Sequence, residues 1–321
     1  MKLFAGLLTA AAVVAGAAAH ADTYPNKPVR TIVPVPAGQS TDVLMRVVAA
    51  QLSTATGQNF FVENRAGGAA IIGTQAAARS APDGYTLVTA SNGPFGINPT
   101  LHPKLPYDAL KDFTAVARLG IFPQVLVVAK DSPITSADAL VKAARANPGK
   151  LDFVSAGNGT TQHLTMEIFR SKLNLQVQHV PYSGSVNAVA GLMTSKNAVM
   201  FESMPAVLPF IQSGQVRALA VSTAMRSPLL PDVPTVKETV EPGFDVTTWV
   251  GVAAPAGTPP DIVKMLNAEI GKAIATPAVK ARFAALAITP APQTPEQFGE
   301  FMKAEVAKWG QAVRESGAVV E

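Results

Sequence analysis

Two short stretches of the chain carry residue types that can hold an anion without any charged side chain. One is Pro36-Ala37-Gly38-Gln39-Ser40-Thr41-Asp42 and the other is Ser155-Ala156-Gly157-Asn158-Gly159-Thr160-Thr161. Each follows a strand-like run, opens a helical pattern, and supplies Ala-Gly and then hydroxyls. Glycine lets backbone N–H groups approach a ligand closely. The first turn of a helix adds unpaired N–H donors and partial positive charge. Serine and threonine hydroxyls donate as well. One such turn in each half of the chain could close on a single carboxylate from both sides. The same composition also makes an ordinary strand-to-helix turn with its cap, so either turn alone reads both ways.

Other chemistries find little support. The 321 residues contain no cysteine, which removes disulfides, thiolate metal sites and a cysteine nucleophile. His20, His102, His163 and His179 have no metal-ligand spacing. A dinucleotide reading of Gly157-Asn158-Gly159 fails because Gln162 stands at the third glycine. There is no P-loop and no G-x-S-x-G elbow. No clustered carboxylate pair and no nucleophile–base pair stands out. No cofactor is expected.

With 48% apolar and 15% charged residues, the chain can bury a sizeable core and is not a disordered polymer. The formal charge of +4 comes without basic runs, so a mild field favouring anionic small molecules is expected rather than a nucleic-acid partner. Met1-Lys2, the apolar run from Leu3 to about Ala17 and Ala19-His20-Ala21 form a signal-peptide pattern, with cleavage expected after Ala21. A membrane anchor is the alternative for that run, although it is short for a span. No later stretch approaches the ~20 apolar residues of a spanning helix. The expected location is the periplasm.

The elements that must position the two turns follow from periodicity. Val29 to Val35, Asn59 to Glu63 and Tyr85 to Ala90 read as strands. Between them lie a helix from Thr41 to Thr56, closed by Gly57, and a short helix ending at Arg79. This series predicts a parallel sheet with helices on both faces. A second series begins at Gln124 to Val128. It continues with a helix opened by a capping box at Thr135 to Asp138, a strand at Leu151 to Ser155 and a helix at Thr161 to Lys172. Strands at Val177–Val180, Ala198–Phe201 and Val216–Val221 alternate with helices at Val186–Thr194 and Pro205–Gln212. After a loop-rich stretch and a strand at Val250 to Ala254, three helices close the chain. The first is opened by a capping box at Thr258 to Asp261, the second starts at Pro277, and the last opens at Thr294 to Gln297. These helices are expected to pack on the first lobe. Two α/β lobes result, 22–122 with 249–321 and 123–248. Hinge strands are expected near Gly120–Gln124 and Thr247–Val250, with a ligand cleft between the lobes.

At these residues the sequence resembles a known family. Tyr24-Pro25-Asn26-Lys27-Pro28-Val29-Arg30, Val62-Glu63-Asn64-Arg65, Ala81-Pro82-Asp83-Gly84-Tyr85-Thr86-Leu87 and Ile97-Asn98-Pro99 are similar to motifs of the Bug-type solute receptors of tripartite tricarboxylate transporters. So are Leu105-Pro106-Tyr107-Asp108, the second glycine turn with His163-Leu164, His179-Val180-Pro181-Tyr182, and Arg217-Ala218-Leu219-Ala220-Val221. Leu230-Pro231-Asp232-Val233-Pro234-Thr235 and Ala254-Pro255-Ala256-Gly257-Thr258-Pro259 complete a likeness that covers nearly the whole chain after residue 21. The resemblance implies a type II periplasmic-binding-protein fold, a Venus flytrap. It implies a carboxylated solute held by Ala37, Gly38, Ser40 and Thr41 from one lobe and by Ser155, Ala156, Gly157, Gly159, Thr160 and Thr161 from the other. It also implies a membrane permease with a small and a large subunit as partner. The receptor itself is expected to be a monomer. The chain departs from the family pattern at Gln39, where glycine is usual, so that its side chain is expected to reach into the cleft. It departs also at Ile71, Ser183 and Ala198.

Several further residues are candidates for the cleft. Asp42 reads as a helix-start acid or as a group that orients water. Ser91, Asn92 and Phe95 follow the third strand and are expected to face the cleft. His163 reads as part of its helix start or as a donor near an anion. Glu202 reads as a cleft residue or a solvated strand end. Trp249 reads as hinge packing or as a wall for an aromatic ligand. The leading expectation is an extracytoplasmic receptor for a small carboxylate, and no enzyme. A secreted enzyme of the same architecture, or a module that presents its closed form to a membrane kinase, are the alternatives. Ligand identity stays open among dicarboxylates, tricarboxylates, acidic amino acids and aromatic acids.

Overall fold

The computed structural model describes residues 24–316 and Ala318. The expected signal peptide and its cleavage site lie outside the described residues.

The first half of the chain contributes β1 (Val29–Val33), α1 (Ser40–Thr56), β2 (Phe60–Asn64), α2 (Ile71–Ala78) and β3 (Thr86–Ser91). A single π-helical turn (Gly93–Ile97) and the short α3 (Asn98–Leu101) lead to the 17-residue β4 (Phe113–Ala129). The second half follows with α4 (Ala137–Ala146), β5 (Asp152–Ser155), α5 (Thr161–Lys172), β6 (Gln178–Pro181), α6 (Ser185–Thr194), β7 (Ala198–Ser203), α7 (Met204–Gln212), β8 (Val216–Val221) and α8 (Val236–Thr239). The chain then returns through β9 (Thr247–Pro255), α9 (Pro260–Ala275), α10 (Pro277–Ala285), β10 (Thr289–Pro290) and α11 (Pro295–Ser316).

The strand order is β2-β1-β3-β9-β4-β7-β5-β6, with β8 and β10 also paired to β4. The β1, β2, β3 set and the β5, β6, β7 set are parallel, whereas β9 and β4 run antiparallel to their neighbours. The all-parallel expectation therefore fails at the centre. β4 carries the chain out to the second lobe and β9 carries it home, so the two must oppose each other. Phe113–Pro123 of β4 pairs with β9 and belongs to the first sheet, while Gln124–Ala129 pairs with β7 and β8 in the second.

The periodicity of β4 shows why it can serve both halves. Val125 and Val127 face a cluster with Leu192, Met200 and Val207, while Leu126 and Val128 face one with Phe153, Phe169 and Phe201. In the first lobe, α1, α9 and α10 cover one face of the sheet through Leu44, Met45, Val48, Leu266, Ile270 and Phe283. Ile32, Val88, Phe95, Trp249, Phe298 and Met302 fill the other face.

The last helix does more than return to the first lobe. Phe298 and Met302 pack there, but Trp309 and Val313 join the second lobe's cluster, together with Ile97 and Leu101. Glu305, between them and 6% exposed, accepts hydrogen bonds on Oε2 from Trp249 Nε1 at 2.7 Å and Trp309 Nε1 at 2.8 Å. Two expected capping boxes differ in detail. Ser136, not Thr135, accepts from Ala139 N, and Thr258 donates back to Pro255 O rather than capping α9. A capping box forms instead at the start of α11, where Thr294 N donates to Gln297 Oε1 and Gln297 N to Thr294 Oγ1.

Candidate functional site

A cavity of about 580 Å³ lies between the lobes. From the first lobe it is lined by the β1–α1 turn (Pro34 to Pro36 and Gln39 to Thr41), the loop Ala66 to Ala70, and Ser91, Gly93 and Pro94. Phe122, Gln124 and Thr248, where the chain crosses between lobes, form its back. From the second lobe come Ala156, Gly159 to Gln162, Ser183 to Ser185, and Ser203. No Lys, Arg, His, Asp or Glu is in the lining. Among the described residues there is no group of three or more His, Cys, Asp or Glu that could hold a metal ion.

The polarity of the cavity comes from hydroxyl and carboxamide side chains and from helix ends. α1, α5 and α6 all begin at lining residues, Ser40, Thr161 and Ser185. Each N-terminus carries partial charge equivalent to about +0.5. The first intrahelical bonds are Val43 N to Gln39 O in α1, Leu164 N to Thr160 O in α5 and Ala188 N to Gly184 O in α6. The amides of Ser40, Thr41, Thr161, Gln162 and Ser185 precede those bonds and so lie among the helix donors that have no intrahelical partner.

The turn glycines play a different part, because their N–H groups are taken up within the turns. Gly38 N donates to Asp42 Oδ2 at 2.9 Å, Gly157 N to Ser155 Oγ at 3.2 Å, and Gly159 N to His163 Nδ1 at 3.2 Å. These glycines have φ of +85°, +128° and +74°, a region costly for side chains with a β-carbon. They shape the turns that lead into the helix starts at the cavity wall.

Of the residues singled out from sequence, Gln39, Ser40, Thr41, Ser91, Ala156, Gly159, Thr160 and Thr161 line the cavity. Ala37, Gly38 and Gly157 belong to the turns but not to the lining. Asp42 is buried and ties the first turn together, accepting from Gly38 N and Asn64 Nδ2 and pairing with Arg46 at 3.0 Å. Burial alone would raise its pKa, but the bonds from Arg46, Gly38 and Asn64 and the charge of Arg46 hold it below the usual range.

Ser155 is buried beneath the second turn, its Oγ 2.7 Å from His179 Nε2. His163 and His179 stack at 4.1 Å between centroids, and Phe153 stacks on His179 at 4.5 Å. Burial pushes His163 down to about 3, helped by His179 and Arg170, and burial with Arg170 pushes His179 down to about 4. Both rings are therefore neutral, and His163 Nδ1 is the acceptor that fixes Gly159.

Asn92 is a buried strand tie, donating to Thr247 O at 3.2 Å and accepting from Trp249 N at 2.9 Å. Phe95 and Trp249 sit in the first lobe's core. Glu202 is fully buried behind the wall, and its Oε1 accepts from Gln162 Nε2 at 2.9 Å and from Ser203 N and Oγ at 2.6 and 2.9 Å. Burial raises its pKa despite these bonds, and Oε2 has no partner.

The lining also includes residues not named from sequence as ligand contacts, among them Ser183, noted only as a departure from the family pattern. Ser183-Gly184-Ser185 has the same signature as the two glycine turns, a strand followed by glycine, hydroxyl and helix, and could have been found by that rule. Gly67 and Gly68 mark the close approach of the Ala66 to Ala70 loop. Phe122, Gln124 and Thr248 fall within the expected hinge strands, but their place in the lining follows only from the crossing of β4 and β9.

Residues 44–318 match the family model described as "Tripartite tricarboxylate transporter family receptor". The chain is similar to Protein BugT of Bordetella pertussis, 41% identical over 314 residues that cover 98% of this chain and 96% of that protein. Among solved structures it resembles R. palustris Rpa4515 with adipate, with a TM-score of 0.88, 31% identity, and coverage of 92% of this chain and 99% of that one. MatC (Rpa3494) from Rhodopseudomonas palustris with bound malate gives a TM-score of 0.84, 30% identity, and coverage of 90% and 100%.

Proposed function

The chain belongs to the tripartite tricarboxylate transporter receptor family, and from that premise we propose that it is a periplasmic receptor for a small carboxylate-containing solute. It delivers the solute to a membrane permease of small and large subunits. It works as a monomer, reaches the periplasm through a signal peptide cleaved after Ala21, and performs no chemistry on its cargo.

The observation that carries this reading is the convergence of the α1 and α5 N-termini, one from each lobe, on a cavity with no charged side chain. A carboxylate there can accept from the first-turn amides of both helices and from the Thr41 and Thr161 hydroxyls. Such a ligand draws the lobes together, because half of its donors come from each side. The adipate and malate held by the two solved relatives make a short-chain acid the natural cargo. An enzyme reading has less support, because the lining offers no His, Asp, Glu, Lys or Cys to act as base or nucleophile.

Isothermal titration against a panel of short mono-, di- and tricarboxylates tests the proposal. At least one acid is expected to bind, and Thr41→Val with Thr161→Val to weaken it strongly. A panel without a binder, or steady turnover of a bound acid, overturns the reading.

A further inference from the structure

The three glutamines of the cavity wall are not equivalent. Gln124 Nε2 donates to Thr248 Oγ1 at 2.7 Å, and Gln162 Nε2 donates to Glu202 Oε1 at 2.9 Å. Both amide nitrogens are held by the protein, although Gln124 Oε1, buried at the back of the cavity, has no partner. The Gln39 amide has no hydrogen-bond partner among the described residues, and its side chain does not cap α1 although it stands at the N-cap position.

Its carboxamide nevertheless crosses the cleft. Gln39 Nε2 lies 3.4 Å from the point that a β-carbon on Gly184 would occupy. Gly184, with φ of +90°, leaves that space open in the opposite lobe. A half-buried, unpartnered amide therefore reaches across the cavity toward Gly184, in a lining that has no ionic group. An amide both donates and accepts, so it can meet a hydroxyl, an amide or a second carboxylate on a ligand. It gains nothing from an alkyl tail, which would leave it without a partner once water is displaced.

We propose that Gln39 is the specificity-determining residue of this receptor, selecting carboxylates whose far end carries a hydrogen-bonding group over those that end in an alkyl chain. The inference rests on the receptor reading above. The carboxylate head sits on the α1 and α5 amides, and the far end meets the Gln39 carboxamide beside Gly184.

The test is isothermal titration of the full-length wild-type protein, Gln39→Met and Gln39→Glu with matched alkanoates, ω-hydroxyalkanoates and alkanedioates of short to medium chain length. Methionine keeps the length of the side chain and removes its hydrogen bonding, and because Gln39 makes no capping bond the variant should fold. The wild type is expected to prefer both polar-ended series over the alkanoates by about tenfold, the size of one good hydrogen bond. Gln39→Met should erase that preference while binding alkanoates as before. Gln39→Glu should weaken the alkanedioates more than the ω-hydroxyalkanoates, by like-charge repulsion.

A Gln39→Met protein that keeps the wild-type preference overturns the inference alone, as does a wild type that binds alkanoates as tightly as the polar-ended acids. A wild type that binds no member of any series overturns the receptor reading and the inference together.

Discussion

Ser40 on α1 and Ser203 at the end of β7 meet across the cleft, Oγ to Oγ at 3.0 Å. Ser203 Oγ also donates to Glu202 Oε1, so Ser40 is the donor in the contact between lobes. The bond ties one lobe to the other, because the two residues sit on opposite sides of the cleft. Ser40→Ala and Ser203→Ala should each weaken ligand binding several-fold, corresponding to about 1 kcal/mol for a hydrogen bond. The double variant should lose little more than the worse single one, which a double-mutant cycle by titration calorimetry will read.

Glu202 predicts a stability effect at neutral pH. Its folded pKa is raised by burial above the ordinary 4.5. Below that value folded and unfolded chains both hold the proton. As pH rises past it, the unfolded chain releases the proton first, so the folded state loses relative stability up to its own raised pKa. Glu202→Gln removes this titration. The melting temperature of the variant should gain on wild type as pH rises from 4 to 8, as measured by scanning fluorimetry. A constant difference across that range would refute the effect.

The stacked histidines predict the opposite slope on the acid side. Their folded pKa values, about 3 for His163 and about 4 for His179, lie below the ordinary 6.5. Their contribution is whole above 6.5 and is lost as pH falls through the folded values, because the unfolded chain binds protons first. His179→Phe keeps the stack on Phe153 but removes one titrating ring and the bond to Ser155. It should be less stable than wild type at pH 7 and less sensitive to acid between roughly pH 6 and 4. Nitrogen-detected NMR should show both wild-type rings neutral at pH 5.

Gly159 lies where the lobes touch. A β-carbon there would stand 2.8 Å from Leu101 Cδ2, and Leu101 is only 4% exposed. With φ of +74°, Gly159→Ala also carries backbone strain of about 1–2 kcal/mol. The variant should bind ligand at least about tenfold more weakly, a loss of about 1.4 kcal/mol. It should also stay open in small-angle scattering with ligand present.

Much of this was legible in the sequence, for reasons that differ by element. The α1 pattern and Gly57 fixed where that helix ends, and Gly57 takes the expected left-handed conformation with φ of +69°. The two glycine turns were recognisable because local chemistry marks them. The first half of β4 was legible only as a hinge strand near Gly120–Gln124; the run from Phe113 was not, because Gly120 has a low intrinsic preference for strand and its partners lie far along the chain. In the folded chain Gly120 accommodates Ile288 and Thr289 of the returning segment, whose atoms would stand 2.7 and 3.1 Å from an added β-carbon. Asn92, Phe95 and Trp249 follow or occupy strands near the cleft, yet they face inward. Which way a strand end turns is decided by distant partners such as Glu305 and Phe298, which no local window contains.

Glu305→Ala should be among the most damaging single changes. It leaves two buried indole N–H groups without an acceptor, at a cost of about 1–3 kcal/mol each. Urea unfolding should show the loss, and Glu305→Gln, which retains one acceptor oxygen, should fall between.

That carboxylate also dictates how the molecule can move. It clasps a strand of one lobe to a helix whose far end is embedded in the other, so the rear seam stays shut whatever happens in front. The protein behaves like a clothes-peg gripped at its spring: displacement vanishes beside the two indoles and is greatest at the tips, where Gln39 faces Gly184. A solute that enters between the tips meets Gln39 and Gly184 on its way in and again as it leaves.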